Sequence, residues 1–267
     1  MKTSRLKNVI IVILALANAF LLVLLVSRRA QERSARDRAE EQLIELYAAS
    51  GVELPAALIP AEEGRLSSAD PVRSLSAEAA FAGAILGDCM SEDVGGGIYR
   101  YSGEAGQCLL RSGGTVEAAL DRAVDDPETF FESLFSAYGY AALFSDLNDG
   151  TGTVTAVRML PSGMVFNAEL ELQFSRSRLL SVTGSFVPPV EPVERGEGID
   201  SVTALVRFLD YSNLSGEVCT AVTEVRGGYL LQSTASASQR LVPAWRITTD
   251  VNRYYVNILT GEVTREA

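Results

Sequence analysis

The chain has 267 residues and a formal net charge of −11, with 47% hydrophobic and 21% charged residues. This composition is typical of a folded protein and not of a disordered one. The acidic balance argues against nucleic-acid binding, which needs clustered Lys and Arg side chains against the phosphates. The length allows an anchor and one or two modest domains.

The side chains that the chain lacks exclude several kinds of catalysis. There is no His, and the only lysines are Lys2 and Lys7. Ser-His-Asp triads, Cys-His and Ser-Lys dyads, Schiff bases and P-loops are therefore excluded beyond residue 7. Three cysteines, Cys89, Cys108 and Cys219, are too few for a four-thiolate zinc site or a disulfide scaffold. We predict a protein that is not an enzyme and that holds no metal or cofactor.

An uncharged apolar run, NVIIVILALANAFLLVLLV, covers residues 8–26. At 1.5 Å per residue it extends about 28 Å, which matches one hydrocarbon core. Residues 17–19 also have the form of a signal-peptide cleavage site, but the chain stays apolar after them. We expect an uncleaved, single-pass signal anchor in the lipid bilayer, with residues 1–7 in the cytoplasm and the later domains outside it. Counts of Lys and Arg alone favour the opposite orientation, although the arginines after the span alternate with acidic residues.

One strongly polar side chain, Asn18, lies inside the predicted span. Ala15 and Ala19 make a small-xxx-small step beside it, which allows a neighbouring helix to approach closely. We predict that these three residues contact the transmembrane helix of a partner, because an amide that faces lipid is costly. The alternative is that the amide bonds its own backbone.

A helical stalk and a connecting loop are predicted over residues 27–75. Five basic and five acidic side chains make the stalk neutral. A solvated spacer is favoured over a coiled-coil contact, because the apolar stripe of the stalk is short. The stripe consists of Ala35, Ala39, Leu43, Leu46 and Tyr47.

Two α+β domains are predicted at residues 76–187 and 199–267, separated by a Pro/Gly linker at residues 188–198. Three short helices are indicated, with Ser76 and Asp126 as N-caps of the first two and residues 201–211 as the third. Residues 164–174 alternate between apolar and polar side chains, which is typical of an antiparallel strand with one wet face. Further strands are predicted at residues 179–187, 218–225, 229–237, 241–249 and 254–259. The predicted fold class is α+β, with antiparallel sheets that carry helices on one face, in at least two units.

Several stretches of the sequence carry a resemblance to known families. A basic N-terminus leads into the span with its central Asn, and SGVELP follows the stalk. LPSGMVFNAELEL, SRLLSVTGSFV and LVPAWRITTDVNRYYVNILTGEV come later. Together they resemble the YycH/YycI family of Gram-positive bacteria, and the size is nearest to that of the YycI-type members. The terminal Pro-Ala-Trp … Tyr-Tyr-Val-Asn … Thr-Gly-Glu pattern is similar to PepSY-type domains.

The resemblance implies a membrane-anchored regulator of a two-component system that governs cell-wall metabolism. Its extracytoplasmic domains and transmembrane helix would act on an essential sensor histidine kinase. The implied partners are this membrane kinase and, as a second candidate, a related YycH-type protein. The alternative function is an exported PepSY-like binding or inhibitory module, for which the helix is a passive tether.

Three aromatic residues near the C-terminus, Trp245, Tyr254 and Tyr255, are candidates for a ligand or partner surface, but core packing is the favoured explanation. In a strand, Tyr254 and Tyr255 face opposite sides, so that only one of them shares the surroundings of Trp245.

Four other features have structural explanations that compete with functional ones. The oxygen-rich segment 146–152 fails the calcium-loop pattern, and a hairpin turn is favoured. The glycines at 95–97 indicate a turn and not an anion site. Glu169 and Glu171, about 6.8 Å apart on one strand face, form a conceivable glycosidase pair, but solvated strand faces look the same. Cys89 and Cys108 form a disulfide in an oxidising compartment or remain free thiols.

Overall fold

The computed structural model describes residues 34–61, 66–190, 198–233 and 239–266, together with Leu21, Ser27 and Gln31. Within this part, no helix is long and apolar enough to cross a membrane. Apart from Leu21, the predicted span at residues 8–26 lies outside the described residues, as do Ala15, Asn18 and Ala19. The anchor and its predicted partner contact therefore stay predictions.

The described residues form four α-helices, a short 3-10 helix (Ala56–Leu58) and twelve strands. The helices are α1 (34–49), α2 (Leu75–Leu86), α3 (Pro127–Tyr138) and α4 (Ser201–Ser215). The strands are β1 (Cys89–Gly95), β2 (Ile98–Gly103), β3 (Gly106–Arg111), β4 (Thr115–Ala123), β5 (Tyr140–Asn148), β6 (Thr151–Leu160), β7 (Gly163–Ser175), β8 (Arg178–Ser185), β9 (Val222–Ser233), β10 (Gln239–Thr249), β11 (Arg253–Asn257) and β12 (Val263–Arg265).

All twelve strands belong to one continuous sheet. Its order is β1-β2-β3-β4-β8-β7-β9-β10-β11-β12, and β6 and β5 extend from β7. The neighbours are antiparallel except β7 and β9, which pair in parallel at only two positions. Beyond those positions, the Asn167 amide donates to the Leu231 carbonyl (2.8 Å) and accepts from the Leu231 N–H (2.7 Å). The α+β class with antiparallel pairing is confirmed, although one sheet replaces the separate sheets that we expected.

Helices cover the sheet at two places and create two hydrophobic cores. The first core lies between α2, α3 and strands β2 to β8, and its buried residues all come from residues 81–186. The second lies between α1, α4 and strands β9 to β11, and its buried residues come from 43–59 and 204–258. The predicted linker at 188–198 lies between them in sequence, but residues 191–197 are outside the described part. The division into domains therefore stays a prediction.

The ends of the helices follow from local capping chemistry. Asp126 accepts hydrogen bonds from the Glu128 and Thr129 N–H groups, and Gly139 ends α3 in the left-handed conformation (φ 67°). This cap confirms the prediction for α3. The predicted cap of α2 is wrong by two residues, because it is Ser74, and not Ser76, that accepts from the Ala77 N–H group.

The stalk helix α1 is not a solvated spacer, which corrects the interpretation that we favoured from its sequence. Leu43 and Tyr47 are buried in the second core, and the Tyr47 hydroxyl donates to the Leu205 carbonyl (2.8 Å). Leu46 remains half exposed. The short apolar stripe is sufficient for docking, because α4 and the sheet supply the other side of the contact.

The two strands predicted at residues 218–225 and 229–237 form one strand, because β9 runs through Gly227 and Gly228 without a turn. The Trp245 ring packs against Gly227, where an added Cβ would lie 3.2 Å from the ring. The Met164 carbonyl and the Phe166 ring approach Gly228 in the same way. These glycines therefore allow close approach within a strand, and they do not reverse the chain.

Asp250, in the turn between β10 and β11, ties this turn to the start of β9. Its carboxylate accepts from the Thr220 hydroxyl (2.6 Å) and from the Thr220 N–H group (3.0 Å). These hydrogen bonds lower the pKa of Asp250. A carboxyl group whose pKa is lower in the folded protein than in the unfolded chain stabilises the fold at pH values above the unfolded pKa, which is about 3.9. This stabilisation is lost as the pH falls through the pKa of the folded state.

We expect Asp250→Ala to lower the urea midpoint at pH 7, with a difference from the wild type that shrinks as the pH is lowered below about 4. Urea unfolding at a series of pH values, followed by circular dichroism, measures this difference. A difference that stays constant from neutral to acidic pH would contradict the role of the ionised carboxylate.

Candidate binding groove and exposed strand edge

A groove with a volume of about 610 Å³ lies between α2, α3 and the end of β4. One face of α3 supplies half of the lining residues, because residues that are four positions apart lie on the same side of a helix. Ala84 of α2 forms the opposite wall, and Arg122 of β4 lies at the base. The α3 face consists of Thr129, Phe130, Ser133, Leu134, Ala137 and Tyr138.

Arg122 holds the base of the groove together. Its guanidinium donates to the Ala84 carbonyl (2.6 Å), in the last turn of α2, where a cation is favourable for the helix dipole. The same guanidinium lies 5.3 Å from the centre of the Phe130 ring. Phe130 in turn meets Phe174 of β7 edge to face at 6.3 Å. The base is therefore ordered by contacts that reach into the first core.

The rim of the groove is acidic. Asp125 and Asp126 line its mouth, and neither α2 nor α3 contains a basic residue. Hydrogen bonds from the side chain and backbone of Thr129 hold the pKa of Asp126 below its usual value. Arg122 is the one cation in the lining. A groove lined by apolar and hydroxyl side chains, with two carboxylates beside them, can hold a ligand.

The strand β5, which follows α3 directly, forms an exposed edge of the sheet. It pairs only with β6, so one side of its backbone has no neighbouring strand in the described part of the chain. Leu143 and Phe144 are 51% and 59% exposed, and no residue from Tyr140 to Ser145 is charged. The register shifts between Ala142 and Phe144, which marks Leu143 as a β-bulge.

A buried cation, Arg158, lies in β6 opposite Tyr140, at one end of this edge. It is 7% exposed and donates to the Tyr138 carbonyl at the end of α3. Its guanidinium lies 5.7 Å from the Tyr140 ring, and its Nε has no hydrogen-bond partner. Burial lowers the pKa of this guanidinium. No carboxylate of the described residues forms an ion pair with it.

The three aromatic residues that were candidates for a surface are buried, so the surface reading is wrong and the favoured explanation, core packing, describes them. Trp245 is 1% exposed, and its indole N–H donates to the Ile199 carbonyl (2.9 Å). Tyr254 lies in the same core, and its hydroxyl donates to Glu217. Tyr255 lies on the other face of the sheet against Phe166, so the prediction that the two tyrosines face opposite sides is confirmed. Trp245 and Tyr254 pack with residues of α1 and α4 on one face of the sheet, and Tyr255 packs with Met164 and Phe166 of β7 on the other.

The remaining candidates have structural roles. Cys89 and Cys108 are free thiols, and burial raises the pKa of Cys108 to about 12. Residues 148–151 make the hairpin turn between β5 and β6, and residues 95–98 turn from β1 into β2. Glu171 accepts from the Gln173 amide (3.1 Å) on the face of β7 that no helix covers. In the described part of the chain, no group of three or more His, Cys, Asp or Glu side chains is placed to hold a metal ion.

The groove and the exposed edge were not found from the sequence. The apolar residues of α3 read as one stripe, but Phe131, Leu134 and Phe135 are buried, whereas Phe130 and Tyr138 are only partly buried at the border of the groove. The uncharged residues at the start of β5 can be recognised in the sequence. Whether they are exposed depends on which strands lie at the edges of the sheet.

No family model matches the chain, and no curated protein matches it. The C-terminal domain of YpeB from Bacillus megaterium is similar in structure, with a TM-score of 0.39 and 11% identity over 74% of this chain and 99% of that one. An uncharacterized protein from Eubacterium rectale is also similar in structure, with a TM-score of 0.42 and 11% identity over 74% of this chain and 80% of that one. YycH from Bacillus subtilis has a TM-score of 0.40 and 10% identity over 78% of this chain and 53% of YycH. The chain therefore spans about half of that structure.

Proposed function

We propose that this protein is a non-enzymatic regulator that is anchored outside the cytoplasm and binds a segment of a membrane sensor histidine kinase in the groove between α2 and α3. The observation that carries the proposal is the groove itself, whose lining combines apolar and hydroxyl side chains of α3 with the carboxylates of Asp125 and Asp126. The identity of the partner rests on the sequence resemblance to the YycH/YycI family. The anchor rests on the apolar run at residues 8–26.

The groove favours a helical segment as its occupant. A volume of about 610 Å³ suits a cluster of side chains, and ligand sites commonly measure about 300–1,000 Å³. The wall is one face of a twelve-residue helix, so it is about 18 Å long and presents its side chains at helical spacing. An amphipathic helix matches such a wall with residues at positions i, i+4 and i+8. Basic residues at one end of that helix would face Asp125 and Asp126.

The docking of α1 supports a regulator over a passively tethered module. The part of the chain that follows the predicted span is fixed to the second core through Leu43 and Tyr47. A tether that only held a module near the membrane would need no such attachment. A movement of the span relative to the domains would therefore act directly on the second core.

The test is photo-crosslinking in living cells from a benzoylphenylalanine placed at Ser133, which lines the groove. The control is the same residue at Glu132, the neighbour of Ser133 in sequence, which is exposed and does not line the groove. We expect Ser133 to trap a membrane histidine kinase and Glu132 to trap little of it. Ala137→Glu, which adds a charge to the groove wall, should reduce the trapping from Ser133.

Equal trapping from both positions would contradict the groove as the binding site. Trapping from Ser133 of proteins that include no histidine kinase would contradict the kinase as the partner and leave the groove as a site for another protein. Thermal unfolding of Ala137→Glu checks that the variant is folded, which is expected because residue 137 is exposed.

A further inference from the structure

The Arg122 guanidinium at the base of the groove uses one of its three nitrogens to hold its position. Its Nη1 donates to the Ala84 carbonyl (2.6 Å), and its carbon lies 5.3 Å from the centre of the Phe130 ring. In the described part of the chain, Nε and Nη2 have no acceptor, and the buried side-chain atoms that lack a partner are the Nε atoms of Arg158 and Arg246. The Nε and Nη2 donors of Arg122 are therefore accessible from the groove that this residue lines.

Another arginine of the same chain shows which group completes such an arrangement. Arg73 also donates its Nη1 to a backbone carbonyl, that of Gly97 (2.8 Å), and lies over an aromatic ring, that of Tyr99 (5.1 Å). Its Nε and Nη2 donate to the two carboxylate oxygens of Glu78, at 2.6 Å and 3.0 Å. These two nitrogens form a fork that matches the geometry of a carboxylate. Arg122 repeats the carbonyl and the ring of the Arg73 site, but no carboxylate of the described residues forms an ion pair with it.

We propose that the Nε and Nη2 fork of Arg122 binds a carboxylate of the molecule that occupies the groove, and that this contact selects acidic over neutral ligands. The inference rests on the proposed function, in which the groove is the binding site, and it names the chemistry that this site recognises. The helical segment described above would then carry an Asp or Glu side chain within its apolar face, beside the basic residues that face Asp125 and Asp126. A segment with only apolar and basic residues would leave the fork unpaired.

The position of Arg122 favours a specific contact. The Ala84 carbonyl and the Phe130 ring hold the guanidinium in place before a ligand arrives, so little side-chain freedom is lost on binding. A bidentate, charged pair inside a groove is also stronger than a pair in open solvent. The net charge of −11 repels anions at long range, but physiological salt screens charges beyond about 8 Å. The fork therefore acts at contact, and the basic residues of the segment offset the acidic rim.

The test compares benzoate with benzamide, two probes of similar shape of which only the first carries a carboxylate. Ligand-observed NMR on the full chain in detergent gives the dissociation constant of each probe. We expect benzoate to bind roughly tenfold more tightly than benzamide. This preference should disappear in Arg122→Gln. Arg122→Lys should keep only part of it, because an ammonium group retains the charge but not the fork.

Arg178→Gln is the matched control, since it removes the same charge from the neighbouring strand β8 and does not line the groove. It should leave the preference for benzoate unchanged. The proposal would be overturned by a wild type without the preference, by Arg122→Gln with the full preference, or by an equal loss in Arg178→Gln. Thermal unfolding shows whether each variant is folded. If Arg122→Gln does not fold, full retention of the preference by Arg122→Lys would count against the fork.

Photo-crosslinking from Ser133 separates this inference from the proposed function. We expect Arg122→Gln to reduce the trapping of the kinase from Ser133. If Ser133 traps no kinase but the wild type prefers benzoate and Arg122→Gln does not, the proposed partner is wrong and the carboxylate site stands. If Ser133 traps the kinase equally in the wild type and in Arg122→Gln, the groove binds the kinase without the fork, and the inference fails.

Discussion

Replacing Trp245 with alanine is expected to lower the free energy of unfolding by about 4 kcal/mol. The ring is 1% exposed in the second core and packs against Gly227 on the neighbouring strand. Its removal leaves a cavity beside a residue that has no side chain to fill it. The Ile199 carbonyl also loses the hydrogen bond that the indole N–H donates. Because Trp245 is the only tryptophan, urea unfolding should be followed by far-ultraviolet circular dichroism instead of fluorescence.

Val251→Ala is the control, since Val251 is 60% exposed in the turn after β10 and should change the unfolding free energy by less than about 0.5 kcal/mol. The comparison separates core packing from ligand binding. A residue that stacks on a ligand at the surface can be removed with little loss of stability. A small effect of Trp245→Ala, similar to that of Val251→Ala, would therefore restore the interpretation that we set aside.

Glu78→Ala is expected to cost about 2 kcal/mol, because it removes two charge-assisted hydrogen bonds from the partly exposed Arg73 guanidinium. Arg73 holds Glu78 with two hydrogen bonds, of 2.6 Å and 3.0 Å, and Glu78 is only 4% exposed. Arg73 also donates to the Gly97 carbonyl (2.8 Å) and lies 5.1 Å from the Tyr99 ring. The pair therefore joins the first turn of α2 to the hairpin between β1 and β2. Urea unfolding at neutral pH measures the loss.

The control for this pair is Glu92→Ala, which removes an exposed ion pair with Arg100 (3.2 Å) on neighbouring strands. Exposed ion pairs contribute about 0–1 kcal/mol, so this substitution should have a small effect. If Glu78→Ala and Glu92→Ala destabilised the protein equally, the buried pair would not be what attaches α2 to the hairpin.

The elements that could be predicted are those with a local cause. Asp126, Pro127 and Gly139 define α3 by capping chemistry that involves only nearby residues. The alternation over residues 164–174 predicts β7, because one face of that strand is covered and the other is open to solvent. A strand with this alternation can be predicted without knowing which strands pair with it.

The features that could not be predicted depend on residues far apart in sequence. From the sequence alone, Gly227 looks like a turn residue, and only the structure shows the Trp245 ring packed against it. In the same way, Tyr47 looks like part of a solvated stripe, and only the structure shows its hydrogen bond to Leu205. The groove exists because α2 and α3 lie apart on the sheet, with Arg122 between them. The distance between two helices on one sheet follows from packing over the whole core, which a local pattern does not contain.

The burial of α1 in the second core has a consequence for the order in which the protein can fold during synthesis. Tyr47 and Leu205, which share a hydrogen bond, are 158 residues apart. The first core needs only residues 81–186, so it can close while the rest of the chain is still on the ribosome. In contrast, α1 emerges early, but its apolar side chains have no partners until α4 and β9 to β11 have been made. Closing so long a loop is slow, and we therefore expect the second core to form after the first.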